Sequence, residues 1–185
     1  MSRKALIIVD IQNEYFENGG LELVNPVEAS LNAGKILEHF RTRHLPVIHV
    51  QHLAAEKDSP VFAEGSFGVQ IHENVQPLEG DKIIQKYYPN SFRETDLSEH
   101  LKTHEITELV IVGMMTHMCI DATTRAAFDF GYHCTVVSDA CATRDLEING
   151  KTVAADDVHH AFLAALAFAY GNITSTEELL KTDNV

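Results

Sequence analysis

Short apolar runs rich in β-branched residues recur along this chain and alternate with segments of helical periodicity. Residues 109–112 contain no polar side chain, which is typical of a strand buried on both faces of a parallel sheet. The other predicted strands are residues 4–10, 46–53, 82–86, 132–138 and 172–174. Because strands that alternate with helices require right-handed crossovers, the pattern predicts an α/β fold, with three α/β/α layers around an open, mostly parallel, six-stranded sheet of the Rossmann-like type.

Helix signals fall between these strands. Asn25 is a potential N-cap, Pro26 suits the first helical position and Glu28 completes a capping box, so a helix is predicted to begin here. Its predicted sheet-facing residues are Val27, Leu31, Ile36, Leu37 and Phe40. Similar boxes at 96–99 and 175–178 predict two more helix starts. The remaining predicted helices are 119–130 and 156–170, the latter with the stripe Val158, Phe162, Leu166, Ala169 and Tyr170.

Residues 54–81 show neither a strand period nor a helix period and contain two prolines and three glycines. A loop of this length within a compact domain is usually functional, and we expect it to be a lid over a site or an oligomer contact. The chain of 185 residues shows no repeat and no linker, so residues 1–185 are predicted to form one domain.

Charge and composition argue against several classes of partner. The formal net charge of −13 disfavours binding to nucleic acid or to an anionic membrane. No apolar stretch approaches the roughly 20 residues of a membrane span, and the first residues lead into a strand without a signal peptide. Three cysteines in such a chain predict free thiols and a cytoplasmic location.

Three ionisable side chains occur where predicted strands meet their following turns. Asp10 ends the first strand, Lys86 ends the third, and Cys119 opens the helix after the fourth. Because the strands are parallel, all three are expected at the edge of the sheet where ligands bind. Each also has an ordinary explanation, as a cap, a solvated cation or a core residue. However, a helix N-terminus favours a thiolate, and a thiol with a carboxylate and an ammonium can form a cysteine nucleophile.

Four sequence blocks resemble the isochorismatase-like cysteine hydrolases, a family that includes nicotinamidases, carbamoylsarcosine amidohydrolases and isochorismatases. The blocks are VDIQNEYF at 9–16, KYYPNSFRETDL at 86–97, VGMMTHMCIDAT at 112–123 and SDA at 138–140. They occur in the family's order and extend over nearly the whole chain. The resemblance implies that Asp10, Lys86 and Cys119 form an Asp-Lys-Cys catalytic triad.

Further site features follow from the resemblance alone. In amide-cleaving members, the thiolate adds to the carbonyl, the aspartate relays protons, and water hydrolyses the resulting thioester. The family also implies a cis peptide bond between Met114 and Met115 and an oxyanion hole formed by the N–H groups of Met115 and Cys119. It implies a homo-oligomer as well, either a dimer or a tetramer.

Side chains beside the matched positions are the predicted pocket lining, namely Phe16, Tyr88, Asn90 and Phe92. Ordinary packing around the strand ends explains them equally well. They therefore rank below the triad as site residues.

A metal site is not expected. Nicotinamidases carry an Asp-x-His metal motif at the end of the second strand, and here His52 and Ala54 occupy those two positions. His49 and His52 would point to opposite faces of a strand, and His100 and His104 have no apparent third ligand. We predict neither a metal nor another cofactor, and His52 is interpreted as a structural histidine that could still reach the active-site edge.

The predicted function is a metal-independent cysteine hydrolase that cleaves a C–N bond of a small amide, carbamoyl or ureido compound through a Cys119 thioester. Two alternatives stay open. One is vinyl-ether hydrolysis of an isochorismate-like acid with Asp10 as the acid, in which Cys119 is dispensable. The other is a non-catalytic binding or redox protein of the same fold, for which Cys134 and Cys141 are poorly placed resolving partners.

Overall fold

The computed structural model describes residues 3–56 and 58–182. Its strands are β1 Lys4–Val9, β2 Val47–His52, β3 Lys82–Lys86, β4 Glu108–Met114, β5 His133–Ala142, β6 Leu146–Ile148, β7 Lys151–Val153 and β8 Asn172–Thr174. Its helices are α1 Pro26–Thr42, α2 Leu97–Thr103, α3 Asp121–Asp129, α4 Ala155–Ala169 and α5 Thr176–Thr182. No helix formed by these residues is both long and apolar enough to cross a membrane.

Six strands form one parallel sheet. Their order across the sheet is β3-β2-β1-β4-β5-β8, and every neighbouring pair runs parallel. The predicted six-stranded α/β architecture is therefore confirmed. The chain proceeds from β1 to β2 and β3 on one side and continues with β4 on the other, so the strand order reverses beside β1. In open α/β sheets, this reversal is where ligands bind.

The sheet separates two buried apolar clusters. Along β1, Leu6 and Ile8 belong to one cluster, and Ala5, Ile7 and Val9 belong to the other. Helices α1 and α5 contribute to the first cluster, whereas α2, α3 and α4 contribute to the second. Because β1 is buried on both faces, its sequence is a continuous apolar run rather than an alternating one.

Helix α1 begins at Pro26 as predicted, but its packing differs from the prediction. Asn25 has a left-handed backbone with a φ of 53°, and its side chain makes no capping hydrogen bond. Val27 and Leu31 are 53% and 51% exposed. The buried stripe consists of Pro26, Ala29, Ser30, Ala33, Ile36, Leu37 and Phe40. This stripe follows the 3.6-residue period, whereas Val27 and Leu31 each precede a stripe position by two residues and so lie on the other side of the helix.

The two other capping boxes have different outcomes. At the start of α5, Ser175 Oγ accepts the Glu178 N–H at 3.2 Å, and a Glu178 carboxylate oxygen accepts the Ser175 N–H at 3.2 Å, as a capping box requires. At the start of α2, the Asp96 side chain makes no capping hydrogen bond. Its carboxylate instead accepts a hydrogen bond from Lys82 Nζ at 2.5 Å, so the predicted cap is wrong there.

Helix α4 packs on a face that partly differs from the predicted one. Val158 and Leu166 are buried as expected, but Leu163 is buried in place of Phe162, which is only half-buried. From residue 161 onward, the exposed positions of the helix are all apolar, namely Ala161, Ala164, Ala165, Ala167, Phe168 and Ala169. The sequence pattern therefore identified the helix but only part of its buried side.

Strands β4 and β5 are longer than predicted. The prediction ends β4 at Gly113, but the strand continues to Met114. Gly113 has a φ of +130°, and a Cβ atom there would lie 1.9 Å from Val9 O, so only glycine lets β4 pass this close to β1. Strand β5 continues to Ala142 through an irregular stretch in its pairing with β4, and the β6–β7 hairpin that follows is not evident from the sequence pattern.

Candidate active site

Asp10 lies at the carboxyl end of β1, where the strand order reverses. Its backbone leaves the strand with a left-handed φ of 51°, and its N–H donates to Val50 O at 3.0 Å. The side chain has no exposed surface. Burial of a carboxylate has to be compensated, and here the opposite charge of Lys86 does so, because neither carboxylate oxygen accepts a hydrogen bond from the described residues.

Lys86 is the last residue of β3 and reaches Asp10 past the intervening strand β2. Its Nζ lies 2.6 Å from Asp10 Oδ2 and 3.3 Å from Cys119 Sγ. Strands β3 and β1 are about 9–10 Å apart, which is two strand spacings, so a long side chain is needed to make this contact. Burial alone would lower the pKa of Lys86, but Asp10 and Cys119 more than offset it and raise the pKa, so the ammonium stays charged.

Cys119 lies in a single π-helical turn, Thr116–Ile120, which precedes α3, and not in the first turn of an α-helix as predicted. Within this turn, the N–H groups of Met118 and Ile120 both donate to Met115 O, at 3.0 and 3.2 Å. The peptide bond between Met114 and Met115 is cis. Cys119 itself is 4% exposed, and its Sγ lies at the end of the Lys86 side chain.

The electrostatic environment of Cys119 differs from the one expected at a helix N-terminus. Burial and the Asp10 carboxylate raise the pKa of the Cys119 thiol, and Lys86 offsets this only in part. The expectation of a resting thiolate is therefore wrong for this environment. A thiol beside a carboxylate that is paired with Lys86 can still become a nucleophile if its proton passes to that carboxylate.

Tyr15 is a residue of this region that the sequence patterns did not single out. It is 2% exposed, and its ring meets Phe62 edge-on with 5.3 Å between the centroids. Burial is the main reason that the pKa of Tyr15 is raised, with further contributions from Asp10 and Cys119. The phenol therefore keeps its proton.

His52 ends β2 and stands opposite Lys86 in the sheet register. Its Nδ1 lies 3.2 Å from Lys86 Nζ, so this nitrogen faces a cation. Ala54, at the second position of the nicotinamidase metal motif, has no ligand atom. These two positions do not fit a metal site. Among residues 3–56 and 58–182, no group of three or more His, Cys, Asp or Glu side chains is arranged to hold a metal ion.

Gln12 ties the end of β2 to the long 54–81 segment. The residue is fully buried, and its Nε2 donates to His52 O at 2.9 Å and to Val69 O at 2.8 Å. Its Oε1 accepts the His52 N–H at 2.8 Å. The amide is therefore satisfied on both sides, and it fixes the backbone of His52 to the strand end that carries Asp10.

Glu14 makes a second connection to the same segment. Its two carboxylate oxygens accept the N–H groups of Gly20, at 2.6 Å, and of Phe62, at 2.9 Å. Only 5% of Glu14 is exposed. Sequence reasoning assigned no role to Gln12, Glu14 or Tyr15, although all three lie in the 9–16 block, and that block was the signal that could have identified them.

Two of the predicted pocket residues contact side chains of neighbouring loops. Phe16 is buried and stacks on His72 of the 54–81 segment, with 3.7 Å between the ring centroids. Tyr88 is half-buried, and the Arg93 guanidinium carbon lies 3.6 Å from its ring centroid. Both side chains thus hold loops in place, whether or not they also touch a substrate.

The other two predicted pocket residues have local structural roles. Asn90 Oδ1 accepts the Phe92 N–H at 2.9 Å, which stabilises the turn after β3. The Phe92 ring packs against Phe130 and Tyr132, with centroid distances of 5.1 and 6.1 Å. Because these two residues directly precede β5, at the amino edge of the sheet, the packing explanation is favoured for Phe92 over a place in the substrate pocket.

Known proteins share both the sequence and the fold of this chain. The family model of the isochorismatase domain matches residues 4–178. The uncharacterized isochorismatase family protein YddQ of Bacillus subtilis is 50% identical over 177 residues, which cover 96% of this chain and 98% of the relative. A crystal structure from Oleispira antarctica, described as that of an isochorismatase hydrolase, is 48% identical, covers 97% of both chains and superposes with a TM-score of 0.94.

More distant relatives include nicotinamidase 3 of Arabidopsis thaliana, which is 26% identical over 96% of this chain and 87% of that protein. The α/β fold and these similarities define a hydrolase of the isochorismatase-like class. The chain belongs to the isochorismatase family.

Proposed function

We propose that this protein is a cysteine hydrolase that cleaves a C–N bond of a small amide, carbamoyl or ureido compound, without a metal, through a thioester on Cys119. The observation that carries the proposal is one buried ammonium in contact with both a carboxylate and a thiol. Lys86 Nζ lies 2.6 Å from Asp10 Oδ2 and 3.3 Å from Cys119 Sγ. The relative named as a nicotinamidase supports the amide class.

In the first half-reaction, Asp10 takes the proton of the Cys119 thiol while the sulfur attacks the carbonyl carbon of the substrate. The C–S bond forms and the carbonyl oxygen becomes an oxyanion, for which the N–H groups of Met115 and Cys119 are the proposed donors. The oxyanion then collapses, the C–N bond breaks, and Asp10 returns the proton to the departing nitrogen. Ammonia or an amine leaves, and the acyl group remains on Cys119 as a thioester.

In the second half-reaction, water replaces the thiol as nucleophile. Asp10 removes a proton from water, the oxygen attacks the thioester carbonyl, and the C–S bond breaks. The proton held by Asp10 passes to the sulfur, which restores the Cys119 thiol, and the acid product leaves. Because its pKa is raised, Lys86 stays protonated throughout and remains the counter-ion of the Asp10 carboxylate.

The same contacts bear on the two alternatives. Acid catalysis of vinyl-ether hydrolysis needs a protonated Asp10, whereas an ammonium 2.6 Å away favours the carboxylate.

A redox sensor needs an accessible thiol of low pKa, but Cys119 is buried and its pKa is raised. Burial also raises the pKa of Cys134 and of Cys141 to about 12, which disfavours either as a resolving thiol. Both considerations favour the amidase.

The test is ammonia release from a panel of small amides, carbamoyl compounds and ureido compounds. We expect Cys119→Ala and Asp10→Asn each to lower kcat/KM by at least about 10³-fold, because a nucleophile and its proton acceptor act as a unit. Cys134→Ala is the matched control and should keep the wild-type rate, since Cys134 is a core residue of β5. A slowly turned-over substrate should also add its acyl mass to Cys119 in the wild-type protein. An amidase rate that survives in Cys119→Ala would overturn the thioester mechanism.

A further inference from the structure

The Lys86 ammonium contacts three electronegative atoms. It forms an ion pair with Asp10 Oδ2, at 2.6 Å, and donates a hydrogen bond to Cys119 Sγ, at 3.3 Å, and both of these residues belong to the proposed triad. The third atom is the acceptor His52 Nδ1, at 3.2 Å. Because Lys86 is fully buried, the loss of any one acceptor leaves a charged N–H without a partner or forces the ammonium to turn.

The contact with Lys86 determines the state of the His52 ring. An ammonium can only donate, so Nδ1 has to present its lone pair, which leaves the ring proton on Nε2 and the imidazole neutral. Burial and then the charge of Lys86 lower the pKa of His52, while Asp10 opposes them in part. The neutral ring is therefore the resting form at neutral pH.

Neighbouring residues hold this ring in place. The N–H and C=O groups of His52 both bind the Gln12 amide, at 2.8 and 2.9 Å. The ring meets Phe62 edge-on, with 5.0 Å between the centroids. The imidazole is thus oriented from one side by the block that carries Asp10 and from another by the 54–81 segment.

We propose that His52 is a positioning residue, which accepts the third N–H of Lys86 and thereby directs the other two toward Asp10 and Cys119. The inference rests on the function proposed above, in which the ammonium is the counter-ion of Asp10 beside the thiol. Without this acceptor, the ammonium can turn about its last bonds, and its contacts with Asp10 and Cys119 weaken. Loss of this acceptor should lower kcat and leave KM nearly unchanged, because His52 acts on the reacting groups and not on a substrate contact.

Protonation of His52 would remove the acceptor. An N–H at Nδ1 would point at Lys86 Nζ, and two positive charges would stand 3.2 Å apart. The charged and titratable groups that face His52 are Lys86 from β3, Asp10 from the end of β1 and, beyond the ammonium, Cys119 from the turn before α3. Phe62, which packs on the ring, is uncharged. We therefore expect kcat to fall in acid along a limb that lies below about pH 6.5, the usual histidine range.

Two substitutions at His52 distinguish the effect of the hydrogen-bond acceptor from the effect of filling the space of the ring. In His52→Asn, the side-chain oxygen can take roughly the place of Nδ1 and remains an acceptor, whereas His52→Leu fills the space without one. We expect His52→Leu to lower kcat at least about 10-fold with little change in KM, and His52→Asn to stay within about 3-fold of wild type. The acid limb should be absent from His52→Asn, because an amide does not titrate in this range.

A second readout does not depend on turnover. Iodoacetamide alkylation of Cys119 against pH, mapped by peptide mass spectrometry, reports how the ammonium is held against the sulfur, and Cys134 and Cys141 are internal references. His52→Leu should shift the Cys119 profile, and His52→Asn should keep it close to wild type. His104→Asn, at the end of α2, is the matched control for a histidine outside the site.

Several results would overturn the proposal. These are a wild-type kcat in His52→Leu, an unchanged acid limb in His52→Asn, or a Cys119 alkylation profile that no His52 variant alters. If His52→Leu does not fold, His52→Gln replaces it, because the glutamine oxygen reaches the place of Nε2 and so fails to supply the missing acceptor. Failure of the proposed function is distinguishable, since it appears as amidase activity in Cys119→Ala, whereas alkylation still tests His52 in that case.

Discussion

At the scale of single residues, the candidate site contains three ionisable groups whose protonation states depend on one another. Lys86 stabilises the Asp10 carboxylate, and that carboxylate disfavours a second negative charge on Cys119. The result is a thiol that is protonated at rest, and in the proposed mechanism it becomes a nucleophile when its proton passes to Asp10. Since oxidants and disulfides react with thiolates, this arrangement also shields the cysteine from side reactions.

His49 should make the stability of the protein depend on pH. It is buried in β2 with Nε2 3.3 Å from Asp81 Oδ2, and burial is the main reason that its pKa is lowered to about 4. Between about pH 6.5 and pH 4, the unfolded chain binds a proton at this residue and the folded protein does not. The free energy of unfolding should therefore decrease by roughly 3 kcal/mol as the pH falls through this window.

Denaturant unfolding of wild type and His49→Val at pH 7 and at pH 4.5 measures this contribution. The variant has no ring to titrate at this position, so its loss of stability in acid should be smaller than that of wild type. His133→Val, at an exposed position of β5, controls for the removal of a histidine. Equal losses in wild type and in His49→Val would contradict the prediction.

Residue type and strand position were enough to place Asp10, Lys86 and Cys119 at one edge of the sheet, because the ends of parallel strands meet there. The protonation state of Cys119 could not be inferred in the same way. It depends on burial and on Asp10, which only the fold brings into contact with the sulfur. The contacts of Gln12 and His52 could not be predicted either, because their partners are distant in sequence and only the fold brings them together.

At the scale of elements, local signals located where helices begin but not which face they bury. Pro26 marks the start of α1 because its effect is confined to the first turn. The buried face of α1 instead depends on the neighbouring sheet, and its alanines give a weaker apolar signal than the exposed Val27 and Leu31. The continuation of β4 through Gly113 depends on the Val9 carbonyl of the adjacent strand, which no local pattern reveals.

The 54–81 segment is an element whose mobility should control access to the site. Each side chain of the proposed triad is 4% exposed or less, so a substrate would reach it only if part of the surrounding structure moves. In Glu14→Gln, an amide NH2 replaces one of the two oxygens that accept the N–H groups of Gly20 and Phe62. We expect local opening to become easier by about 1–3 kcal/mol.

Hydrogen exchange measured by mass spectrometry checks this expectation. Peptides that contain Gly20 or Phe62 should exchange faster in Glu14→Gln than in wild type. Glu17→Gln is the matched control, because Glu17 is exposed and lies in the same loop. Exchange at Phe62 that is the same in Glu14→Gln as in wild type would rule out the anchoring role of Glu14.

At the scale of the whole molecule, the outer face of α4 is suited to a second copy of this chain. Phe168 is 91% exposed, and the exposed positions from residue 161 onward carry no charge. Beside this face lies a groove of about 470 Å³, whose apolar lining includes Leu163, Ala164, Ala167 and Ile173. A protruding ring and a groove on one helix are self-complementary, as a two-fold interface requires. We propose that the protein forms a homodimer through this face.

Phe168→Asp should dissociate this dimer, because it places a negative charge in the partner's groove, whose lining includes Leu163, Ala164 and Ala167. Light scattering after size exclusion should give a wild-type mass of a dimer and a variant mass near the 20.6 kDa of one chain. Phe67→Asp is the matched variant, since Phe67 is 64% exposed and lies in the 54–81 segment. Dissociation by Phe67→Asp but not by Phe168→Asp would assign the dimer contact to the 54–81 segment. A monomeric wild-type protein would contradict a dimer through either surface.

The pairing of β2 with β3 has a consequence for how the site can change. His52 stands opposite Lys86 in this ladder, so the position of the ammonium is set by register and not by the length of the connection at 53–81. A slip of one residue would turn Lys86 to the opposite face, but an insertion that keeps the pairing would leave it in place. Changes in the length of the 54–81 segment that keep this pairing should therefore leave Lys86 beside Asp10 and Cys119.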